Sequence, residues 1–194
     1  MRGAILYAGH LRTWDICRLN QEEMLVGDID SYFYTFEQPQ NTPYKQFVKI
    51  PDMYYPYLPD HPYVANKNPY SSVDSTLNQW CSIFVGSRLV PNTYDYYIKS
   101  RPDIQLSGKI DFSEFDFNDT DIYIPSGNDH WNGKNDQFLF GSYAVMKKYF
   151  SVYVNHQYIF ADGMQFHPEG YVTKNLEREG VNIVRLDITN TIIR

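Results

Sequence analysis

The chain is poor in cysteine, lacks the common glycine-rich phosphate signatures, and has neither a basic stripe nor a long apolar run. Cys17 and Cys81 are the only cysteines among 194 residues and no CxxC spacing exists, so both read as free buried thiols in a reducing compartment. No GxGxxG fingerprint and no Walker A loop occurs, which removes the main support for dinucleotide-redox and P-loop functions. Seventeen Lys and Arg against 23 Asp and Glu give a net charge of −6, which argues against a nucleic-acid partner. An anionic ligand would therefore have to be held by a metal or by a few local arginines. The run Ala4–Ala8 is too short for a signal h-region or a membrane span, so the expectation is a soluble, cytoplasmic protein. The lone sequon Asn118-Asp-Thr120 carries little meaning without an export signal.

Aromatic residues, by contrast, are abundant. They make up 17% of the chain, with 18 tyrosines and 3 tryptophans, and such rings either stack on sugars and bases or take the place of leucine in a core. The length suits one domain with a single substantial core. The apolar tail Thr191–Arg194 suggests that residues 1–194 are one domain of a longer protein, its N-terminal part.

Strands and helices alternate. Gly3–Ala8 reads as a first strand, and a helix capped by Thr13 or Asp15 runs to about Leu25 with Ile16, Leu19 and Met24 on one face. Ser31–Phe36 is a second strand. Residues 38–70 carry seven prolines and many tyrosines without a steady period, and they read as a long ordered loop or lid. A helix from Ser72 or Asp74 to Leu89 carries Leu77, Trp80, Cys81, Phe84, Val85 and Leu89 at helical spacing, and a strand at 94–100 follows. Asp121–Pro125 is a short strand ended by proline, Ser126–Gln137 a polar loop, and Ser142–Val154 a helix. His167-Pro-Glu-Gly opens a last helix that Gly180 stops, and Val181–Ile188 returns as a strand. The fold class is α/β, a single Rossmann-like domain with a mixed, mostly parallel central sheet flanked by helices.

Several segments can carry chemistry. Tyr94-Asp-Tyr-Tyr-Ile-Lys-Ser-Arg-Pro-Asp103 reads as a buried strand whose pairing weakens at Pro102 and releases Asp103 at the carboxyl end, where open α/β sheets bind ligands. The same segment also fits an edge strand with solvated Arg101 and Asp103. Asp136 sits between a polar loop and the apolar run Phe138-Leu-Phe-Gly141, a placement suited either to a general base or to a cap. His167 precedes a helix start and could ligate metal, touch phosphate or serve structure. Gly9-His10-Leu11-Arg12 follows the first strand, where a nucleotide can approach the glycine backbone and Arg12 can pair with a diphosphate; an ordinary turn with a solvated arginine fits equally. Asn78 and Gln79 can reach a base or ribose, whereas Trp80 reads as core. Asp28-Ile-Asp30 has a DxD spacing, but it precedes its strand and faces the wrong rim. Gly127-Asn-Asp129-His130 is a weak match to a metallophosphoesterase box.

Taken in order, Ala8-Gly-His-Leu-Arg-Thr13, Asp30-Ser-Tyr-Phe-Tyr-Thr35, Tyr94–Asp103, Asn135-Asp-Gln-Phe-Leu-Phe-Gly-Ser142 and His167-Pro-Glu169 resemble the GT-A-type glycosyltransferase domains found in large DNA viruses of algae (chlorella viruses) and in bacterial polysaccharide clusters. The resemblance spans nearly the whole chain. It implies a nucleotide-sugar donor, UDP-sugar favoured, Mn²⁺ or Mg²⁺ on its diphosphate, and transfer to a hydroxyl of a glycan or glycoprotein acceptor. Under it Asp103 matches the metal-binding aspartate of the DxD motif, Asp136 the acid facing the acceptor, and Gly9–Arg12 the nucleotide loop. Arg101 stands where the first DxD carboxylate would be, so Arg101 itself offsets diphosphate charge or His167 completes the coordination. Tyr54, Tyr55, Tyr57 and Tyr63 are candidates for an acceptor rim. One evident acid favours inversion of configuration. A non-catalytic carbohydrate-binding module using the aromatic loop, and a metallophosphoesterase relying on Asp129 and His130, are the alternatives.

Overall fold

A computed structural model describes residues 1–51, 73–130 and 132–193. Its elements run β1 (Arg2–Gly9), α1 (Trp14–Met24), β2 (Leu25–Val26), β3 (Asp28–Thr35), β4 (Gln46–Lys49), α2 (Val73–Ser87), β5 (Tyr96–Ser100), β6 (Ile104–Leu106) and β7 (Ile110–Asp111). They continue with β8 (Asp121–Ser126), β9 (Phe138–Gly141), α3 (Tyr143–Phe150), α4 (Val152–Ala161), α5 (Pro168–Arg178) and β10 (Asn182–Ile192). Eight strands form one sheet in the order β4-β3-β1-β5-β9-β8-β10-β6, with β9 antiparallel to both neighbours and β6 antiparallel to β10. The expected mixed, mostly parallel sheet flanked by helices is present.

Both faces of the sheet are covered, and the side chains divide with the period of two that a strand imposes. Ala4, Leu6, Tyr32, Tyr34, Tyr97 and Leu139 point into a core shared with α2, α3, α4 and α5. Ile5, Tyr7, Phe33, Tyr96, Ile98, Phe138 and Phe140 point into a second core on the α1 side. That second core absorbs much of the aromatic content: the Tyr96 ring stacks on Phe112 at 4.6 Å and on Phe117 at 4.9 Å, and Tyr123 stacks on Phe140 at 5.0 Å.

Several sequence expectations need correction. On α1 the buried stripe is Trp14, Cys17 and Gln21, whereas Ile16 and Leu19 are 59% and 60% exposed. The sheet selects the stripe that carries the tryptophan and the glutamine, because Gln21 has backbone carbonyls to satisfy across the interface. β4 lies inside the stretch read as loop; it pairs with β3 from Gln46 to Lys49. Residues 52–72, including Tyr54, Tyr55, Tyr57, Tyr63 and the proposed Ser72 helix start, fall outside the described residues. Pro125 does not end its strand: it sits opposite Leu186, and β8 runs on to Ser126. The helix expected over 142–154 is two helices, divided at Ser151, whose hydroxyl donates back to the Lys148 carbonyl at 2.7 Å. Asp28 and Asp30 do face the opposite rim: Asp28 is level with Arg2, and Asp30 binds Arg2, Lys45 and the Tyr94 hydroxyl.

Trp80 is fully buried, its ring 5.6 Å from both Phe166 and Tyr171, so it joins α2 to α5. Trp80→Ala is expected to cost about 3–5 kcal/mol and to lower the urea midpoint strongly. Ile16→Ser, on the exposed side of α1, should stay within about 0.5 kcal/mol of the parent in the same unfolding measurement.

Candidate functional site

β1, β3 and β5 are parallel, and their carboxyl ends share one rim. Tyr7 is level with Ser100 and Gly9 with Thr35, so the chain leaves the sheet side by side at Gly9, Phe36 and Arg101. The chain passes from β1 to β3 and β4 on one side, then returns to place β5 on the other side of β1. That reversal makes a crevice beyond β1 and β5, the place where open α/β sheets take ligands.

A cavity of about 300 Å³ occupies this crevice. Gly9, His10, Arg12, Asn78, Gln79, Arg101 and Asp103 line it, seven of the residues singled out from the sequence. Gly9 has φ +110, and a side chain built there would meet open space, so its backbone is accessible from the cavity and its conformation excludes most other residues. His10 stacks on Phe36 at 4.2 Å, a flat pair beside the cavity. Arg12 is exposed and has no ion pair or hydrogen bond among the described residues. Asn78 Oδ1 is buried and has no hydrogen-bond partner among them. Leu11 faces away: its side chain packs against the α1-side core and its N–H donates to Glu37 at 3.1 Å.

Arg101 and Asp103 form a two-point pair, Nε to Oδ1 at 2.8 Å and Nη2 to Oδ2 at 2.7 Å. The turn that carries them is clamped from α1. Gln21 is fully buried, donates to the carbonyls of Arg101 (3.2 Å) and Ile104 (3.1 Å), and accepts from the Ser100 hydroxyl at 2.8 Å. The Ile193 N–H ties down the Asp103 carbonyl at 2.8 Å.

Asp136 lies behind Gln79 rather than on the cavity wall. It is buried and accepts from Gln79 Nε2 at 3.2 Å, and Gln79 in turn faces the cavity. Lys99, 1% exposed, reaches the same region from β5: its ammonium donates to the backbone carbonyls of Asp136 and Gln137. Burial pushes the Lys99 pKa down to about 8, opposed by the Asp136 carboxylate. The preceding loop is pinned at several points. Asn128 and Asn132 adopt left-handed backbone, Lys134 N–H donates to Thr173 at 2.7 Å, and Asn135 bonds Asn190 and the Gln137 N–H. Gly133 runs against α5, where a Cβ would come within 2.1 Å of the Glu169 backbone. Asp129 serves this loop, accepting from Asn135 N–H, Lys134 and Arg185.

His167 is off the cavity wall and pairs with Glu169 at 2.9 Å, both at the start of α5. Burial lowers the His167 pKa, with His130 adding to the effect. Burial, reinforced by the neighbouring Asp136 charge, pushes the Glu169 pKa up from its ordinary 4.5 to about 7. Among the described residues, no three His, Cys, Asp or Glu side chains form a group that could hold a metal ion. Both Asp103 oxygens are engaged by Arg101, and His167 Nδ1 lies against Glu169 Oε2, away from the cavity. The described residues, paired as they are, therefore do not fit the Mn²⁺ or Mg²⁺ that the resemblance implies.

Lys99, Phe36, Gln21 and Glu169 escaped sequence reasoning. Lys99 left one signal, a lone cation inside the wholly buried strand Tyr96–Ser100. Glu169 left another, an acid in the first turn after His167-Pro168. No family profile matches this chain, and no curated protein matches it.

A group whose pKa rises on folding stabilises the fold below its unfolded pKa, and that stability is lost as pH rises through the folded value. For Glu169 the loss falls between pH 4.5 and about 7. Glu169→Gln should therefore melt higher than the parent at pH 8, by about 2–4 °C for each kcal/mol recovered, while melting curves of the two converge at pH 4.

Proposed function

We propose that this chain is a glycosyltransferase that moves a sugar from a nucleotide-sugar donor, UDP-sugar favoured, to a hydroxyl of a glycan or glycoprotein, with GT-A-type architecture. The observation that carries the reading is the convergence of Gly9–Arg12, Asn78–Gln79 and Arg101–Asp103 on one cavity at the reversal of strand order. These segments are far apart in sequence; the ordered resemblance grouped Gly9–Arg12 with Arg101–Asp103, whereas Asn78 and Gln79 were singled out separately on the second helix. No helix among the described residues is long and apolar enough to cross a membrane.

In this reading the nucleotide lies along Gly9–Arg12. The open backbone of Gly9 admits the diphosphate, the His10–Phe36 pair offers a flat surface to the base, and Asn78 offers an acceptor. The acceptor hydroxyl oxygen attacks the anomeric carbon, the bond to the diphosphate oxygen breaks, and the hydroxyl proton passes to the Asp136 carboxylate, which the acceptor reaches once the Gln79 amide between it and the cavity swings aside. The leaving nucleoside diphosphate keeps the bonding electron pair. A single displacement of this kind inverts the anomeric configuration. Asp136 is the carboxylate assigned as base because Asp103 is already paired with Arg101, whereas Asp136 is bonded to a neutral amide on the cavity wall. No described side chain competes with Asp136 through a fixed salt bridge at that amide.

A thermal-shift screen of UDP-, GDP- and dTDP-sugars tests the donor site, since a ligand that binds the folded state raises the melting temperature. A rise with one nucleotide class supports the reading, and no rise with any class removes it. Asp136→Ala should lower turnover on the order of 10²–10⁴-fold while leaving donor affinity nearly unchanged. Equal losses in turnover and affinity would rule out its role as base.

A further inference from the structure

The charges around the cavity are the reverse of those on the chain as a whole. The chain carries a net charge of −6, yet among the described residues the fixed charges lining the cavity are three cations, Arg12, Lys99 and Arg101, and one acid, Asp103. That acid is bound at both oxygens by Arg101. A divalent ion at Asp103 would have to break a two-point guanidinium pair and then sit beside the same guanidinium, which repels it. From these contacts we infer that the cavity binds a nucleoside diphosphate directly through arginine, with no divalent ion between protein and phosphate. The inference rests on the glycosyltransferase reading and specifies how its donor site balances charge.

The roles divide by geometry. The Arg101 guanidinium has five N–H donors in a rigid plane. The pair with Asp103 uses one on Nε and one on Nη2, which leaves three for phosphate oxygens. Asp103 is therefore a positioning residue: together with the Gln21 clamp on the Arg101 and Ile104 carbonyls, it fixes the plane in which the remaining donors lie. Arg12 is exposed at the cavity, after Gly9, and has no partner among the described residues to give up before it meets an anion. Lys99 is committed to the Asp136 and Gln137 carbonyls and contributes a fixed positive charge from below. During transfer, negative charge grows on the departing diphosphate. Prearranged cations lining the crevice stabilise that charge without reorganising.

Calorimetric titration of the full chain with UDP, in Mn²⁺ and in excess EDTA, tests the inference. The expected result is UDP binding in both, with affinities within about threefold of each other. In EDTA, Arg12→Ala and Arg101→Lys should each weaken UDP binding about tenfold or more, equivalent to roughly 1.4 kcal/mol. Arg12→Ala removes an unpaired surface side chain, so the test survives even if the Arg101 variant folds poorly. Asp103→Asn keeps the shape and one acceptor for Arg101, and should bind UDP in EDTA more tightly than Asp103→Ala. UDP binding seen only with Mn²⁺, or unchanged by both arginine variants, would overturn the inference and leave the donor reading standing. No binding of UDP, GDP or dTDP in either buffer would instead overturn the donor reading on which it rests.

Discussion

The site depends on one buried charge. Lys99 lies in the middle of the sheet, where an ammonium without partners would be prohibitively costly. It is tolerated because two backbone carbonyls, those of Asp136 and Gln137, accept from it at the start of antiparallel β9. The lysine thereby ties the carboxyl end of β5, which carries Arg101 and Asp103, to the loop that carries Asp136. The nearby Asp136 carboxylate favours the charged lysine, and the same carboxylate raises the pKa of Glu169 across the α5 start. Three elements far apart in sequence share one electrostatic balance.

Hydrogen bonds hold the segments around that charge on several sides. Gln21 reaches from α1 to hold the Arg101–Ile104 turn, and Asn135, Asn190 and Gln137 form a chain of amide contacts beneath the Asp136 loop. Buried amides of this kind are costly unless their hydrogen bonds are made, and here they bond mainly to backbone or to each other. The aromatic residues, which composition alone could have assigned to sugar stacking, mostly fill the two cores instead. His10 and Phe36 are the described ring pair that borders the cavity.

Much of the architecture was legible in the sequence because strand and helix periods are local. Apolar and aromatic runs identified β1, β3, β5, β8 and β10, and β5 ends before Pro102, with Asp103 beyond it on the cavity wall. The failures have a common origin. Ile16 and Leu19 were read with Met24 as one apolar face, but the stripe that met the sheet was chosen by Trp14 and by the hydrogen bonds of Gln21. The 142–154 helix divides at Ser151 because that hydroxyl bonds back to Lys148. Each outcome turns on a partner distant along the chain but near in space, or on a side-chain-to-backbone bond that composition does not encode.

The sequence by itself determined the α/β class, the order of the segments and that Gly9–Arg12 and Arg101–Asp103 follow strand ends, since these follow from periodicity and from where glycine and proline interrupt it. The tertiary structure alone decided how those residues pair. Arg101 closes on Asp103, Lys99 reaches the Asp136 carbonyl, and His167 turns to Glu169 rather than to the cavity. Pairing of charges depends on distances of a few ångströms between strands that are neighbours in the sheet but not along the chain. That is why a motif written as one aspartate can be read from the sequence, while the arginine that occupies both of its oxygens had to be seen in the fold.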